Sequence, residues 1–121
     1  MSGTDWGVIT YFTRDELGYA PGVEPDPELV LMLEWARQFS GVPFVITSGI
    51  RTPEHNREVG GKAKSAHLSG HAVDIACTSS AVRREIVGAV VAAGFDRIGI
   101  AKTFVHVDTH PDLPNPVMWL Y

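Results

Sequence analysis

The sequence predicts an α+β fold in which a small antiparallel sheet is flanked by helices. Two long segments combine helical apolar spacing with marked ends, and five short runs are rich in Val, Ile or aromatic residues. The last part of the chain adds a third observation, since only Lys102 and Thr103 separate two of these runs. A two-residue link is typical of a tight hairpin, so antiparallel pairing is expected there.

The helices are predicted mainly from their end signals. Asp26 followed by Pro27 is suited to an N-cap and a first helical residue, and Gly41 suits a left-handed stop. These signals predict a helix over 27–40. Capping residues and apolar spacing give the other expected helical segments, which are 13–17, 53–59 and 80–93.

The predicted strands are short and separated by turn residues. The segment 110–116 contains three prolines, which cannot donate regular ladder hydrogen bonds. This segment is therefore expected to be a rigid surface connection to the last strand. The expected strands are 44–48, 71–76, 97–101, 104–108 and 117–121.

Length and composition predict one globular domain over residues 1–121. Hydrophobic residues make up 45% of the chain and charged residues 20%, which is typical of a globular protein able to form a core without metal or disulfides. A net charge of -4 argues against a general nucleic-acid binder. Cys77 is the single cysteine, so an intramolecular disulfide and an all-thiolate zinc site are excluded.

The expected location follows from what the N-terminal segment and the rest of the sequence lack. Residues 1–13 have neither a basic region nor an apolar run of signal-peptide length, and no run approaches the ~20 apolar residues of a membrane-spanning helix. We therefore expect synthesis in the cytoplasm without a signal peptide, and no insertion into a membrane. We also expect the protein to be a monomer.

Two short stretches carry the residues suited to chemistry: SAHLSGHAVD at 65–74 and FVHVD at 104–108. Side chains alternate along a strand, so Asp74 shares its face with alanines, while His106 shares its face with Asp108. Two histidines, His67 and His106, and one carboxylate suit zinc and leave a fourth position open, as catalytic zinc sites do. Taken alone, any one of these histidines would more often be an ordinary surface or core residue.

The pattern S-x-H-x-x-G-x-A-x-D at 65–74 resembles the signature of the M15 zinc peptidases. The similarity extends to SGIRTPEHN at 48–56 and to the later His106, where that family has its second histidine. The family includes D-alanyl-D-alanine carboxypeptidases, vancomycin-resistance dipeptidases, murein endopeptidases and phage endolysins, and hedgehog signalling domains share its scaffold. The resemblance implies one zinc ion held by His67, Asp74 and His106, and cleavage of peptidoglycan peptides.

The same resemblance implies substrate-binding roles for Arg51 and Ser65. A guanidinium suits bidentate capture of a substrate carboxylate, although Arg51 could instead pair with Glu54 or a loop carbonyl. For Ser65 the alternative is a hydroxyl that stabilises its loop. The positive charge of residues 51–64 could meet an anionic cell wall, or it could be an ordinary solvated loop.

The sequence does not decide which residue would serve as the general base. Several family members carry Asp or Glu three residues before the second histidine, where this chain has Thr103, which cannot accept a proton at neutral pH. Asp108 is expected to act either as the base or as the group that orients a histidine. His71 is a further candidate for the base, although strand alternation turns it away from Asp74.

The expected function is that of a zinc metallopeptidase that cuts the stem or cross-bridge peptides of peptidoglycan, as a carboxypeptidase or an endopeptidase. It would act on the cell wall, with release during phage lysis as one route. The alternative, kept open by Thr103, is a non-catalytic zinc module that binds wall fragments or a protein partner. Trp119 and Tyr121 could wall the cleft, or they could pack in the core or at the sheet edge.

Overall fold

Five strands form one mixed sheet in the computed structural model, which describes residues 3–121. The order of strands across the sheet is β1-β2-β4-β3-β5. Neighbouring strands are antiparallel except for β3 and β5, which are parallel. The strands are β1 Ile46–Ser48, β2 Ala72–Ala76, β3 Arg97–Ile100, β4 Phe104–Asp108 and β5 Val117–Leu120.

The three α-helices found within residues 3–121 begin at capping residues of the types expected from the sequence. The Asp26 side chain accepts a hydrogen bond from Leu29 N at the start of α1, and Gly41 ends this helix with φ +70°. Serine and threonine side chains cap the other two helices in the same way. The helices are α1 Pro27–Ser40, α2 Pro53–Glu58 and α3 Ser80–Ala92, with 3₁₀ turns at Trp6–Val8, Arg14–Leu17 and Ala66–Ser69.

Helices α1 and α3 pack against each other and against one face of the sheet. The core between them contains Leu33 of α1, Ile86 of α3 and Val105 of β4, none of which is exposed to solvent. Side chains alternate along each strand, so the strand residues that lie between core residues point to the opposite face of the sheet. That second face carries the charged and imidazole side chains described below.

The predicted α+β class is confirmed, and each predicted helix and strand is present with ends that differ by no more than two residues. The prediction of an antiparallel sheet is correct for four strands and wrong for β5. Strand β4 ends at Asp108, which pairs with Arg97, and Arg97 also pairs with Val117. The connection 109–116 therefore stays at one end of the sheet, and β5 starts beside the start of β3 and runs parallel to it.

Within residues 3–121, no helix combines the length and the apolar composition needed to cross a membrane.

Candidate active site

A row of paired residues crosses the sheet on the face opposite α1 and α3. Ser48 of β1 pairs with Asp74 of β2, and Asp74 pairs with His106 of β4. His106 in turn pairs with Gly99 of β3. Strand pairing alone therefore brings Asp74 and His106 together, although 32 positions separate them in the sequence.

His67 completes a cluster of three buried side chains. It lies in the 3₁₀ turn before β2, and its Nε2 is 3.3 Å from Oδ1 of Asp74. The same carboxylate oxygen lies 2.9 Å from Nδ1 of His106. One ligand atom from each residue lies within 4.8 Å of the other two, so the three groups are close enough to hold a metal ion.

The local turn that carries His67 depends on the neighbouring glycine of the signature. Gly70 has φ +79°, a conformation that favours glycine, and a Cβ at this position would collide with the backbone carbonyl of Glu24. The Gly70 carbonyl also accepts a hydrogen bond from Asp26 N at 2.8 Å. The turn is thus fixed against the segment that leads into α1, directly beside β2.

The outer nitrogens of both imidazoles are held by groups that can only accept hydrogen bonds. Nδ1 of His67 lies 2.8 Å from the Gly49 carbonyl, and Nε2 of His106 lies 2.7 Å from Oδ2 of Asp108. Each outer nitrogen therefore carries a hydrogen, and the inner nitrogens, which face Asp74, are the atoms that a metal ion would bind in place of a proton. This is the arrangement by which proteins orient metal-binding histidines.

Asp74 supplies the negative charge of the cluster. Burial by itself raises the pKa of Asp74, but the hydrogen bonds and charges of His106 and His67 outweigh it and lower this pKa to about 2. Burial likewise lowers the pKa of His106, and hydrogen bonds to Asp108 and Asp74 reverse that effect, so this pKa is raised. Inward-facing nitrogens and an ionised oxygen suit a borderline metal such as zinc, so the donor set fits a metal ion.

Arg51 lies beside the cluster. Its Nη2 is 3.4 Å from Oδ2 of Asp74, and its Nε donates to Ser48 Oγ at 3.0 Å. Its Nη1 donates to Oδ1 of the buried Asn56 at 3.1 Å. The alternative pairing of Arg51 with Glu54 is therefore absent, and the guanidinium is held next to the carboxylate with 12% of its side chain exposed.

Ser65 directly supports the turn that carries His67, whereas Thr103 lies exposed in a hairpin. Ser65 caps the 3₁₀ turn of His67, and its Oγ accepts a hydrogen bond from His67 N at 3.2 Å. Thr103 lies in the hairpin between β3 and β4 with an exposed side chain. Several members of the family that the sequence resembles carry Asp or Glu at this position. This chain has an exposed hydroxyl there instead.

Asp108 is 2% exposed, and both of its oxygens are engaged. Oδ2 accepts from His106, and Oδ1 accepts from Arg97 Nε at 2.7 Å. Burial raises the pKa of Asp108, but the hydrogen bond and charge of His106, together with Arg97, outweigh burial and lower it. His71, the other candidate base, is bound through Nδ1 to Ser69 Oγ at 2.7 Å.

Aromatic rings cover one side of His106. The ring of Trp119 lies 5.5 Å from the His106 ring, and the ring of Tyr121 lies 6.4 Å from it, between ring centres. Of the placements left open by the sequence, these distances favour an aromatic wall, formed by Trp119 and Tyr121, beside the cluster. Burial, followed by the charge of Asp74, raises the pKa of Tyr121, in keeping with its position near the carboxylate.

Comparison with known proteins agrees with this geometry. The family model described as Peptidase M15 matches residues 10–108, which is most of the chain. The chain belongs to the M15 peptidase family. Among curated proteins, no match to it was found.

Membership of the M15 peptidases supports a peptidase function with a peptide substrate, and the family is typically metal-dependent. The cluster of His67, Asp74 and His106 is a candidate metal site of such an enzyme. Two residues that support this candidate site had no role in the sequence prediction. Asn56 stands within the motif at 48–56 and holds Arg51, whereas Arg97 has no sequence signal and is found only through β3–β4 pairing.

Proposed function

We propose that this M15 peptidase is a zinc enzyme that hydrolyses peptide bonds in the stem or cross-bridge peptides of peptidoglycan. The observation that carries the proposal is the convergence of His67, Asp74 and His106, with both outer imidazole nitrogens held by acceptors. When bound, zinc would supply a Lewis acid that polarises a peptide carbonyl and lowers the pKa of water. The choice of peptidoglycan rests on the resemblance of the 65–74 signature.

Arg51 is the proposed group for binding a substrate carboxylate. Ser48 and Asn56 hold its guanidinium beside Oδ2 of Asp74, whereas both histidines approach Oδ1. Stem peptides of peptidoglycan carry free carboxylates, which a planar guanidinium binds with two parallel hydrogen bonds. The hydroxyl of Ser65, half-buried at the turn before His67, is proposed as a second substrate contact.

The aromatic wall is proposed to contact the substrate on the side of His106. The side chains of Trp119 and Tyr121 stand beside the cluster, and Tyr121 is 67% exposed. A peptide lying against these rings would exclude water from one side of the cluster.

Because both oxygens of Asp108 are already engaged, we propose that it orients His106 rather than serving as the general base.

A second candidate function is a non-catalytic zinc module, and the exposed Thr103 favours it. In that case the same three residues would stabilise a surface that binds wall fragments or a protein. Action at the cell wall, release during phage lysis and a monomeric state belong to the leading proposal.

Digestion of purified peptidoglycan, with products identified by mass spectrometry, tests the two functions. We expect new peptide products in the presence of zinc, none after chelation, and recovery when zinc is restored. His55→Ala is a matched control, because His55 is exposed and pairs with Glu58 at 3.7 Å. Retention on peptidoglycan without any cleaved product would support the binding module and contradict the peptidase.

A further inference from the structure

The guanidinium of Arg97 contacts three parts of the molecule behind the candidate metal site. Its Nε donates to Oδ1 of Asp108 at 2.7 Å, and its Nη1 donates to the Pro114 carbonyl at 2.6 Å. The guanidinium carbon lies 4.9 Å from the ring centre of Trp119. With 13% of its side chain exposed, Arg97 is enclosed by these partners.

Two of these partners touch His106 directly. Asp108 accepts the hydrogen of Nε2 at 2.7 Å, which fixes the edge of the imidazole ring. Trp119 lies against the same imidazole, with 5.5 Å between ring centres. Arg97 does not reach the cluster, but it contacts the two groups that determine how His106 faces Asp74.

We propose that Arg97 is a positioning residue that holds His106 in the orientation needed to bind the metal, acting through Asp108 and Trp119. The inference rests on the proposed metal site. An arginine suits this task because its planar guanidinium donates hydrogen bonds in its plane while its face stacks on an aromatic ring. Lysine retains the positive charge but lacks this planar geometry.

A purely structural role for Arg97 would be to tie the connection 109–116 to the sheet through Pro114. Arg83 provides a matched control for such a tie, since its Nη2 donates to the Lys102 carbonyl at 2.8 Å, in the hairpin at the other end of β3 and β4. Arg83→Gln therefore removes a side chain to backbone bond without touching Asp108 or Trp119.

The test measures zinc affinity by competition with a chromophoric chelator, together with the visible spectrum of the Co²⁺-substituted protein. For Arg97→Gln we expect zinc to bind about 10- to 100-fold more weakly and the Co²⁺ bands to change, as for other groups that orient metal-bound histidines. Arg97→Lys should fall between wild type and Arg97→Gln. Arg83→Gln should keep wild-type affinity and spectrum, whatever its thermal stability.

Wild-type zinc affinity and an unchanged Co²⁺ spectrum in Arg97→Gln would overturn the inference, even if the variant melts at a lower temperature. Should Arg97→Gln fail to fold, the same two measurements on Arg97→Lys decide, with unchanged values again contradicting the role. A wild-type protein that binds no zinc would overturn the proposed zinc site and, with it, this inference. Zinc binding without peptidoglycan cleavage would contradict only the proposed activity.

Discussion

Gly99 lies directly beneath the indole of Trp119, and a Cβ on residue 99 would come within 2.7 Å of the ring atom Cε2. The two residues pair across the parallel strands β3 and β5, and Gly99 also pairs with His106 across β3 and β4. The missing side chain therefore leaves the space through which the indole reaches His106. A glycine at this position determines where the aromatic wall stands.

Replacing Gly99 with alanine should displace the wall. The added methyl group would also meet Tyr121 Cε2 at 2.7 Å, so both rings must move. Because Trp119 lies in the edge strand β5 and Tyr121 directly follows it, we expect a folded protein that is about 1–3 kcal/mol less stable, as for other overpacked sites. Near-UV circular dichroism should change, and KM for a peptidoglycan peptide should rise.

Gly88→Ala is the matched control, since it adds a methyl group where nothing lies within 4 Å. Within α3 this change should raise stability by about 0.5–1 kcal/mol and leave KM unchanged. An unchanged near-UV spectrum and KM in Gly99→Ala would contradict the proposed contact between the wall and the substrate.

Loss of any one proposed zinc ligand should remove zinc without unfolding the domain. The variants His67→Ala, Asp74→Ala and His106→Ala are expected to lose stoichiometric zinc, measured by elemental analysis, because each supplies one of the three converging atoms. Far-UV circular dichroism should remain that of the wild type, since the core lies on the other face of the sheet. A variant that keeps both zinc and full turnover would show that its residue is not a ligand.

Changing Arg51 to lysine should weaken substrate capture. A single ammonium group cannot reproduce the bonds of the guanidinium to Ser48, Asn56 and a substrate carboxylate. We expect KM to rise roughly tenfold, in line with the loss of one charged hydrogen bond. Arg57→Lys, an exposed position in the neighbouring helix α2, is the control. If Arg51→Lys leaves KM as in the wild type, Arg51 does not bind the substrate.

Asp108→Asn separates the two roles considered for this carboxylate. If Asp108 orients His106, zinc affinity should fall by about 10- to 100-fold and activity should recover in part when excess zinc is supplied. If it is the general base, zinc affinity should be retained while kcat falls. Chelator competition and steady-state kinetics on the same preparation distinguish these results, and we expect the first.

The metal-free protein should lose stability in acid as Asp74 becomes protonated. The pKa of Asp74 is lowered from 3.8 to about 2 in the folded state, so its ionised form favours folding above pH 3.8. This contribution, on the order of 2 kcal/mol, disappears as the pH falls from about 4 to about 2.

Urea unfolding with chelator present measures this effect. Asp74→Asn should show a smaller loss of stability than the wild type between pH 4 and pH 2. The control Asp112→Asn removes a carboxylate from the exposed connection after β4 and should follow the wild type. Parallel acid profiles for the wild type and Asp74→Asn would contradict the lowered pKa.

Local features of the fold were predictable from the sequence because they depend on residues close together in the chain. The cap at Asp26 and the stop at Gly41 act within one helical turn, and α1 runs between them as expected. The two-residue link at Lys102 and Thr103 likewise predicted the antiparallel hairpin of β3 and β4. Strand alternation and the 65–74 signature were enough to propose His67, Asp74 and His106 as one site.

Tertiary structure alone decided the surroundings of that site. The parallel placement of β5 depends on the path of the connection 109–116, which no local propensity encodes. That path brings Trp119 over Gly99, while pairing of β3 with β4 puts Arg97 beside Asp108. Contacts of this kind join residues that are distant in sequence, so their geometry follows from how the strands assemble rather than from any short motif.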